Sequence, residues 1–237
     1  MQTTLLRLYI GSKNYASWLM RPRSMRPRAL TAQASLAFDE AAMRVDGFAP
    51  PSALKKTITA ANPLGKAAAL VGDGLAVRGT RVVAQCLAQQ FPDQNLWPPA
   101  VQARAWARRV CAGLHSGFGA LRSACGMSLA ADLHTWGQLI WRDNAAARAD
   151  VQRSGARLCG DLLAEHGGPM LFGDFSAVDA YFAPVGRRLR TFARLAPAVV
   201  AGYGQRVAGL PSVTAWTAAA LAKADFLALK ALHRLQR

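Results

Sequence analysis

Residues 172–185 read FGDFSAVDAYFAPV, and this stretch carries the most specific fold signal in the chain. Ser176 followed three residues later by Asp179 is a capping-box-like pattern. In such a box the serine hydroxyl accepts from an amide inside the first turn, while the acid reaches back to the amide of the cap residue. A buried helix start must find partners for its free amides, and losing a cap typically costs about 1 kcal/mol. Val178, Phe182 and Val185 then supply apolar side chains for burial against neighbours. The stretch therefore specifies a buried helix with an interior start.

The flanking sequence continues the pattern in both directions. Residues 99–125 carry Val110, Leu114, Phe118 and Leu121 at helical spacing, and residues 148–166 repeat it with Val151, Leu158, Leu162 and Leu163 before Gly167-Gly168-Pro169. Pro211-Ser212 opens a last helical region over 214–229. No convincing strand signal appears in 100–237, which reads as an all-helical domain. Residues 93–99, ending in Leu96-Trp97-Pro98-Pro99, read as a linker.

Residues 1–92 have a different grammar. The apolar run 5–10 bounded by GSKN predicts a buried strand and a turn. A helix is expected within 18–33, a second strand within 35–45, and a short helix or loop over 55–62. Two apolar runs around Gly72-Asp73-Gly74 predict a hairpin. An amphipathic helix follows over 80–90, with Val82, Val83, Cys86 and Leu87 on one side. The order β-α-β-α-β-β-α describes a compact α/β unit, so the whole chain reads as α/β plus all-α.

Composition excludes several classes. At 237 residues and 52% hydrophobic, the chain can bury a sizeable core, yet no apolar run reaches the roughly 18 to 20 residues of a membrane span. The first fifteen residues lack a basic start and a long apolar run, so no secretory leader is read and a cytoplasmic protein is expected. Cys86, Cys111, Cys125 and Cys159 lie far apart with no CxxC, which gives free thiols and no metal site. The formal charge of +16 attracts anions, but the arginines are scattered and no nucleic-acid-binding motif accompanies them. The charge is therefore read as a solvated basic surface, with neither nucleic acid nor membrane as partner.

Taken in order, YIGSKNYASWLMRP, NPLGK with ALVGDGLAV, FPDQNLWP, LHSGFGALRSAC and FGDFSAVDAYFAPV resemble the cytosolic glutathione S-transferases, in particular a bacterial branch near the beta, zeta and theta-like classes. The resemblance covers nearly the whole chain. It implies an N-terminal thioredoxin-like domain, a C-terminal helical bundle, a homodimer, and glutathione as co-substrate for attack on a small electrophile.

Glutathione's thiol titrates near pH 8.5 like that of a free cysteine, so such an enzyme needs a donor that stabilises the thiolate. In these families a motif resembling N-Y-S-S-W-S-L-R-P supplies a serine at the start of the first helix. Asn14, Tyr15, Trp18, Arg21 and Pro22 match it, but the usual serine is Ala16, which leaves Ser17 as the implied donor and Tyr15 as its alternative. Ser17 could equally be a simple helix cap. The peptide anchor, which resembles G-K-V-P-V-L, reads Gly65-Lys66-Ala67-Ala68-Ala69-Leu70, with alanine at the cis-proline position. Lys66 and Ala67 are the implied contacts there.

The third anchor normally holds an acid before a serine. Here it reads Arg78-Gly79-Thr80-Arg81, so Gly79 and Thr80 are the implied contacts and no carboxylate is left for glutathione's ammonium. Losing that contact costs on the order of 2 kcal/mol, more than tenfold in affinity. Trp18, Arg109, His115 and Arg122 are the implied substrate-pocket residues. The resemblance therefore implies a transferase with weakened glutathione binding. Its alternative is a non-catalytic protein on the same scaffold that carries anionic or apolar ligands.

A pentapeptide is written twice at 20–29, MRPRS then MRPRA. Removing one copy restores the spacing of the family pattern, which identifies a tandem duplication. Five residues advance a helix by about 140°, too much to absorb without turning its buried stripe away. The first helix is therefore expected to start near Pro27, with the first copy looped out.

Overall fold

Strand β1 (Leu6–Gly11) lies inside a four-stranded sheet, in the order β3 (Phe38–Met43), β1, β4 (Ala69–Gly72), β5 (Leu75–Arg78). Leu6, Leu8 and Ile10 are buried while Arg7 is exposed, the period-two pattern of a strand. A computed structural model of the protein describes residues 6–11, 16–17, 24–43, 52–61, 68–72, 74–192 and 198–223. β1 runs parallel to β3 (Phe38–Met43) and antiparallel to β4 (Ala69–Gly72), and β4 pairs antiparallel with β5 (Leu75–Arg78) across the predicted hairpin. A parallel pair needs a crossover, which α1 (Met25–Gln33) supplies. Helix α2 (Ala53–Ala61) precedes β4. Helix α3 (Thr80–Gln90) buries Thr80, Val83, Ala84 and Leu87, an i, i+3, i+4, i+7 stripe. The expected stripe is thus shifted: Val82 is 52% exposed, because it lies about 100° around the helix from Val83.

Helix α1 answers the question of the repeat. It begins at Met25, with Ser24 at the cap position, so the second copy starts the helix and Pro27 falls in its first turn. Ser17 lies in a separate strand, β2 (Ala16–Ser17), so no unbroken helix spans 17–33. Residues 18–23, most of the first copy, lie outside the described residues.

The remaining helices are α4 (Val101–Ser116), α5 (Gly119–Ala124), α6 (His134–Asp143), α7 (Ala145–Gln152), α8 (Asp161–His166), α9 (Ala177–Thr191), α10 (Ala198–Gly209) and α11 (Pro211–Lys223). The helical run expected over 99–125 is two helices. Phe118 adopts a left-handed φ of 56° and Asp150 Oδ2 accepts from the Leu121 amide at 3.0 Å, which gives α5 its own start. The run expected over 148–166 is continuous from α7 through a π-helical segment, Arg153–Gly160, into α8, and stops at Gly167 with φ 65°. Helices α6 and α10 were not read from sequence. Neither was β6 (Met127–Ser128), a two-residue strand inside the helical half that pairs with β2.

The capping box forms at atomic detail. Ser176 Oγ accepts from the Val178 amide at 3.3 Å, and Asp179 Oδ2 accepts from the Ser176 amide at 2.8 Å and from Ser176 Oγ at 3.1 Å. Asp179 Oδ1 accepts from the Leu171 amide at 3.2 Å and from the Tyr203 hydroxyl at 2.8 Å. Burial pushes the Asp179 pKa up, while donation from Tyr203, Ser176 and Leu171 pulls against it. The Ala177 amide donates to Leu96 O at 2.9 Å, which ties the linker to this helix start. Helix α1 packs against both α9 and α11, and Arg28 clamps the join by donating to Glu40 Oε2 at 3.2 Å and to Ser212 O at 2.9 Å. Among the described residues no helix is long and apolar enough to cross a membrane.

Candidate functional site

The first candidate element is the end of β1 facing the start of α1. The Ser24 side chain does not bond its own helix, whose Arg28 amide donates to the Ser24 carbonyl at 3.4 Å; its Oγ accepts from the Gly11 amide at 3.0 Å. With an acceptor site filled in this way, the hydroxyl proton is available to donate elsewhere. Ser17 was expected at the helix start and instead lies in β2, opposite Met127. The physical reason is the duplication, which moves the helix start downstream to the second copy. Ser24 is thus a hydroxyl that the sequence reading passed over. Its signal was present in the serine that precedes the second Met-Arg-Pro. Tyr15, Trp18, Lys66 and Ala67 lie outside the described residues.

The second element is the start of α3. Gly79 has a φ of 87°, a left-handed conformation that glycine adopts without strain, and its amide donates to Ala68 O at 3.3 Å. Among the described residues a Cβ at Gly79 would meet only Val82 Cγ2, at 4.0 Å. Thr80 is buried, and its Oγ1 approaches the Tyr181 hydroxyl without an ordinary hydrogen bond joining the two. The Arg26 guanidinium lies 4.7 Å from the centre of the Tyr181 ring. Burial pushes the Tyr181 pKa well up, so this phenol stays protonated. Helices α1, α3 and α9 therefore meet in a cluster of Arg26, Thr80 and Tyr181. Only Thr80 of these was singled out in the sequence.

The other expected residues are distributed along the helical half. Arg109 is exposed and stacks on Trp106, 4.6 Å from the ring centre. Arg122 Nη1 donates to Leu114 O at 3.2 Å and to Gly117 O, which fixes the corner between α4 and α5. His115 belongs to the last turn of α4, the turn closed by that corner, and only its backbone is described. The structure thus brings His115 and Arg122 to one end of α4 and places Arg109 on its exposed face.

Arg188 was missed, one arginine among several in 187–190. It is 3% exposed, donates to Cys125 O, and lies two helical turns after Tyr181 on the same face of α9. Burial, joined by the neighbouring charges of Arg26 and Arg122 and opposed by Cys125, lowers its pKa to about 10.

The cysteines are free thiols, as expected. Burial pushes Cys111 and Cys125 up to about 12 and raises Cys159 as well. The thiolate is the reactive form, so at pH 8 about one in ten thousand of the first two is reactive. Cys86, only partly buried, is shifted less strongly upward. Titration of the native protein with an aromatic disulfide at pH 8 is expected to label Cys86 rapidly and the other three only on denaturation. Rapid labelling of all four without unfolding would contradict these placements. Among the described residues no group of His, Cys, Asp and Glu is arranged to hold a metal ion.

No protein-family model matches the sequence, and no curated protein matches it. Solved structures do. A glutathione transferase homologue from Burkholderia with bound glutathione is 19% identical, with a TM-score of 0.60 over 92% of this chain and 98% of that one. The glutathione S-transferase from Xylella fastidiosa is 20% identical, with a TM-score of 0.62 over 91% and 98%. Glutathione transferase Omega 2S from Trametes versicolor is 16% identical, with a TM-score of 0.63 over 96% and 99%. The mixed sheet joined through Trp97-Pro98 to a helical half thus matches these structures along nearly their whole length, and the chain has the fold of the glutathione transferases.

Proposed function

We propose that the protein binds glutathione and presents its thiolate to a small electrophile. The observation that carries this reading is the end-to-end match of fold, which includes a neighbour crystallised with glutathione bound. In this proposal residues 1–92 and 100–237 act as two domains joined by 93–99, and the protein works as a cytoplasmic homodimer. Lys66, Ala67, Gly79 and Thr80 hold the tripeptide. Trp18, Arg109, His115 and Arg122 serve the second substrate.

A hydroxyl donor lowers the energy of the thiolate, whose sulfur attacks the electrophilic carbon; the leaving group departs with the bonding pair, and the thiol proton goes to solvent. Ser17 is the donor implied by sequence, with Tyr15 as its alternative. Ser24 joins them, because its Oγ accepts from Gly11 and its proton meets no acceptor among the described residues. Binding of glutathione is expected to be weak, since Arg78 and Arg81 flank the start of α3 with no carboxylate between them.

Retention on immobilised glutathione and turnover of 1-chloro-2,4-dinitrobenzene are the expected results. The serine that acts as donor is identified by a loss of about a hundredfold in kcat when it is replaced by alanine, Ser17→Ala and Ser24→Ala being compared. No retention and no turnover at millimolar glutathione would overturn the proposal. The alternative, a non-catalytic carrier on the same scaffold, draws support from the two arginines at the α3 start. It predicts stabilisation by anionic ligands that is indifferent to glutathione.

A further inference from the structure

Residues 94–99 of the linker, the C-terminal end of α1 and the turn before α9 enclose a cavity of about 500 Å³, a size typical of small-molecule sites. Gln33 lines it from α1, Gln94 and Asn95 from the linker, and Phe172, Asp174 and Phe175 from the turn. Helix α1 is nine residues long, so Gln33 lies about 12 Å along its axis from Met25, at the end opposite Ser24.

The electrostatics of this cavity run against those of the chain as a whole. The formal charge is +16, yet none of the described lining residues is Lys, Arg or His. Asp174 is an exposed carboxylate that joins no ion pair among the described residues. Arg104 reaches the lining at Pro99, whose carbonyl accepts from its Nη1 at 3.0 Å. The last turn of α1 carries no basic residue, so the partial negative charge of the helix end falls at the cavity, where Gln33 and Ala34 line it.

Gln33 adds a specific demand: its Oε1 is buried and accepts from no donor among the described residues. A buried acceptor without a donor is costly, so a ligand that donates to it gains. Phe172 and Phe175 supply aromatic surface, and the His166 ring packs 4.8 Å from that of Phe172. A water molecule supplies a hydrogen but no charge, and a quaternary cation supplies charge but no hydrogen. A primary ammonium supplies both, and an apolar body attached to it covers the phenylalanines.

We propose that this cavity binds a small primary amine in its ammonium form, which donates to Gln33 Oε1 in the field of Asp174 and the α1 C-terminus while its apolar body lies against Phe172 and Phe175. The proposal does not depend on glutathione binding or on turnover.

Calorimetric titration of the full chain at low salt and neutral pH tests it. Phenethylammonium is compared with phenethyl alcohol, which lacks the charge, and with phenethyltrimethylammonium, which lacks the hydrogens. The primary ammonium is expected to bind at least about tenfold more tightly than either. Asp174→Asn is expected to reduce its preference over the alcohol, and Gln33→Leu to remove its preference over the trimethyl compound. Gln94→Trp alters an exposed lining position, so it fills the space while leaving Gln33 and Asp174 in place. It is expected to weaken the primary ammonium at least about tenfold, and it decides the matter if Gln33→Leu fails to fold. S-hexylglutathione is expected not to displace the amine. No binding of the primary ammonium at millimolar concentration, equal affinity for it and either comparison ligand, unchanged binding in the folded variants, or displacement by S-hexylglutathione would overturn the proposal.

Discussion

Replacing Asp179 by alanine is expected to cost roughly 3–5 kcal/mol of stability, measured by urea denaturation of the full chain. The carboxylate is fully buried and accepts four hydrogen bonds, from the amides of Leu171 and Ser176 and the hydroxyls of Ser176 and Tyr203. Alanine leaves these donors in the interior without an acceptor, and each buried unsatisfied donor costs about 1–3 kcal/mol before relaxation. The loss is larger than that of an ordinary cap because Asp179 also joins α9 to the turn before it and to α10. Asp179→Asn is expected to fall between alanine and the native residue, since an amide keeps one acceptor oxygen but turns donors toward donors. A change below about 1 kcal/mol for the alanine variant would mean that Asp179 caps only its own helix.

The second large effect is steric. A Cβ on Gly137 would lie 1.7 Å from Phe192 O and 2.7 Å from Phe192 C, backbone atoms at the end of α9. Helix α6 cannot retreat cheaply, because the Leu133 amide donates to Thr191 O at 2.9 Å and Thr191 Oγ1 donates to Ser128 O at 2.7 Å. Gly137→Ala is therefore expected to destabilise by about 3 kcal/mol or more. Gly113, inside α4, is the matched control: a Cβ there meets nothing within 4 Å, so Gly113→Ala is expected to stabilise by about 0.5–1 kcal/mol. Equal effects at the two positions would refute the packing of α6 on α9.

These two sites also show what the sequence could reveal. Asp179 was legible because its main partner is three residues away in a local pattern with one physical meaning. The hairpin and the long amphipathic helices were legible for the same reason. Gly137 was not, since its constraint comes from residue 192 and leaves no local trace. The break at Phe118 depends on Asp150, and β6 depends on β2, so both were equally hidden.

At the candidate site, resemblance led to Gly79 and Thr80, whereas Ser24, Arg26, Tyr181 and Arg188 emerged only from the meeting of α1, α3, α5 and α9. Single arginines in a chain of charge +16 carry almost no positional information. Burial and partners are what distinguish Arg188 from its neighbours.

The repeated pentapeptide illustrates how a protein can accept an insertion in one direction only. Each copy contains a proline, and proline is tolerated in the first turn of a helix, where its missing amide would have had no intrahelical acceptor. A helix begun at Met20 would meet Pro27 in its interior, at a cost of about 3 kcal/mol. One begun at Met25 meets only Pro27, within its first turn. The downstream proline thus acts as punctuation: it places the surplus residues before the helix start and keeps Ala29 and Leu30 in the core. A duplication that carries its own helix-start signal preserves the reading frame of everything packed after it.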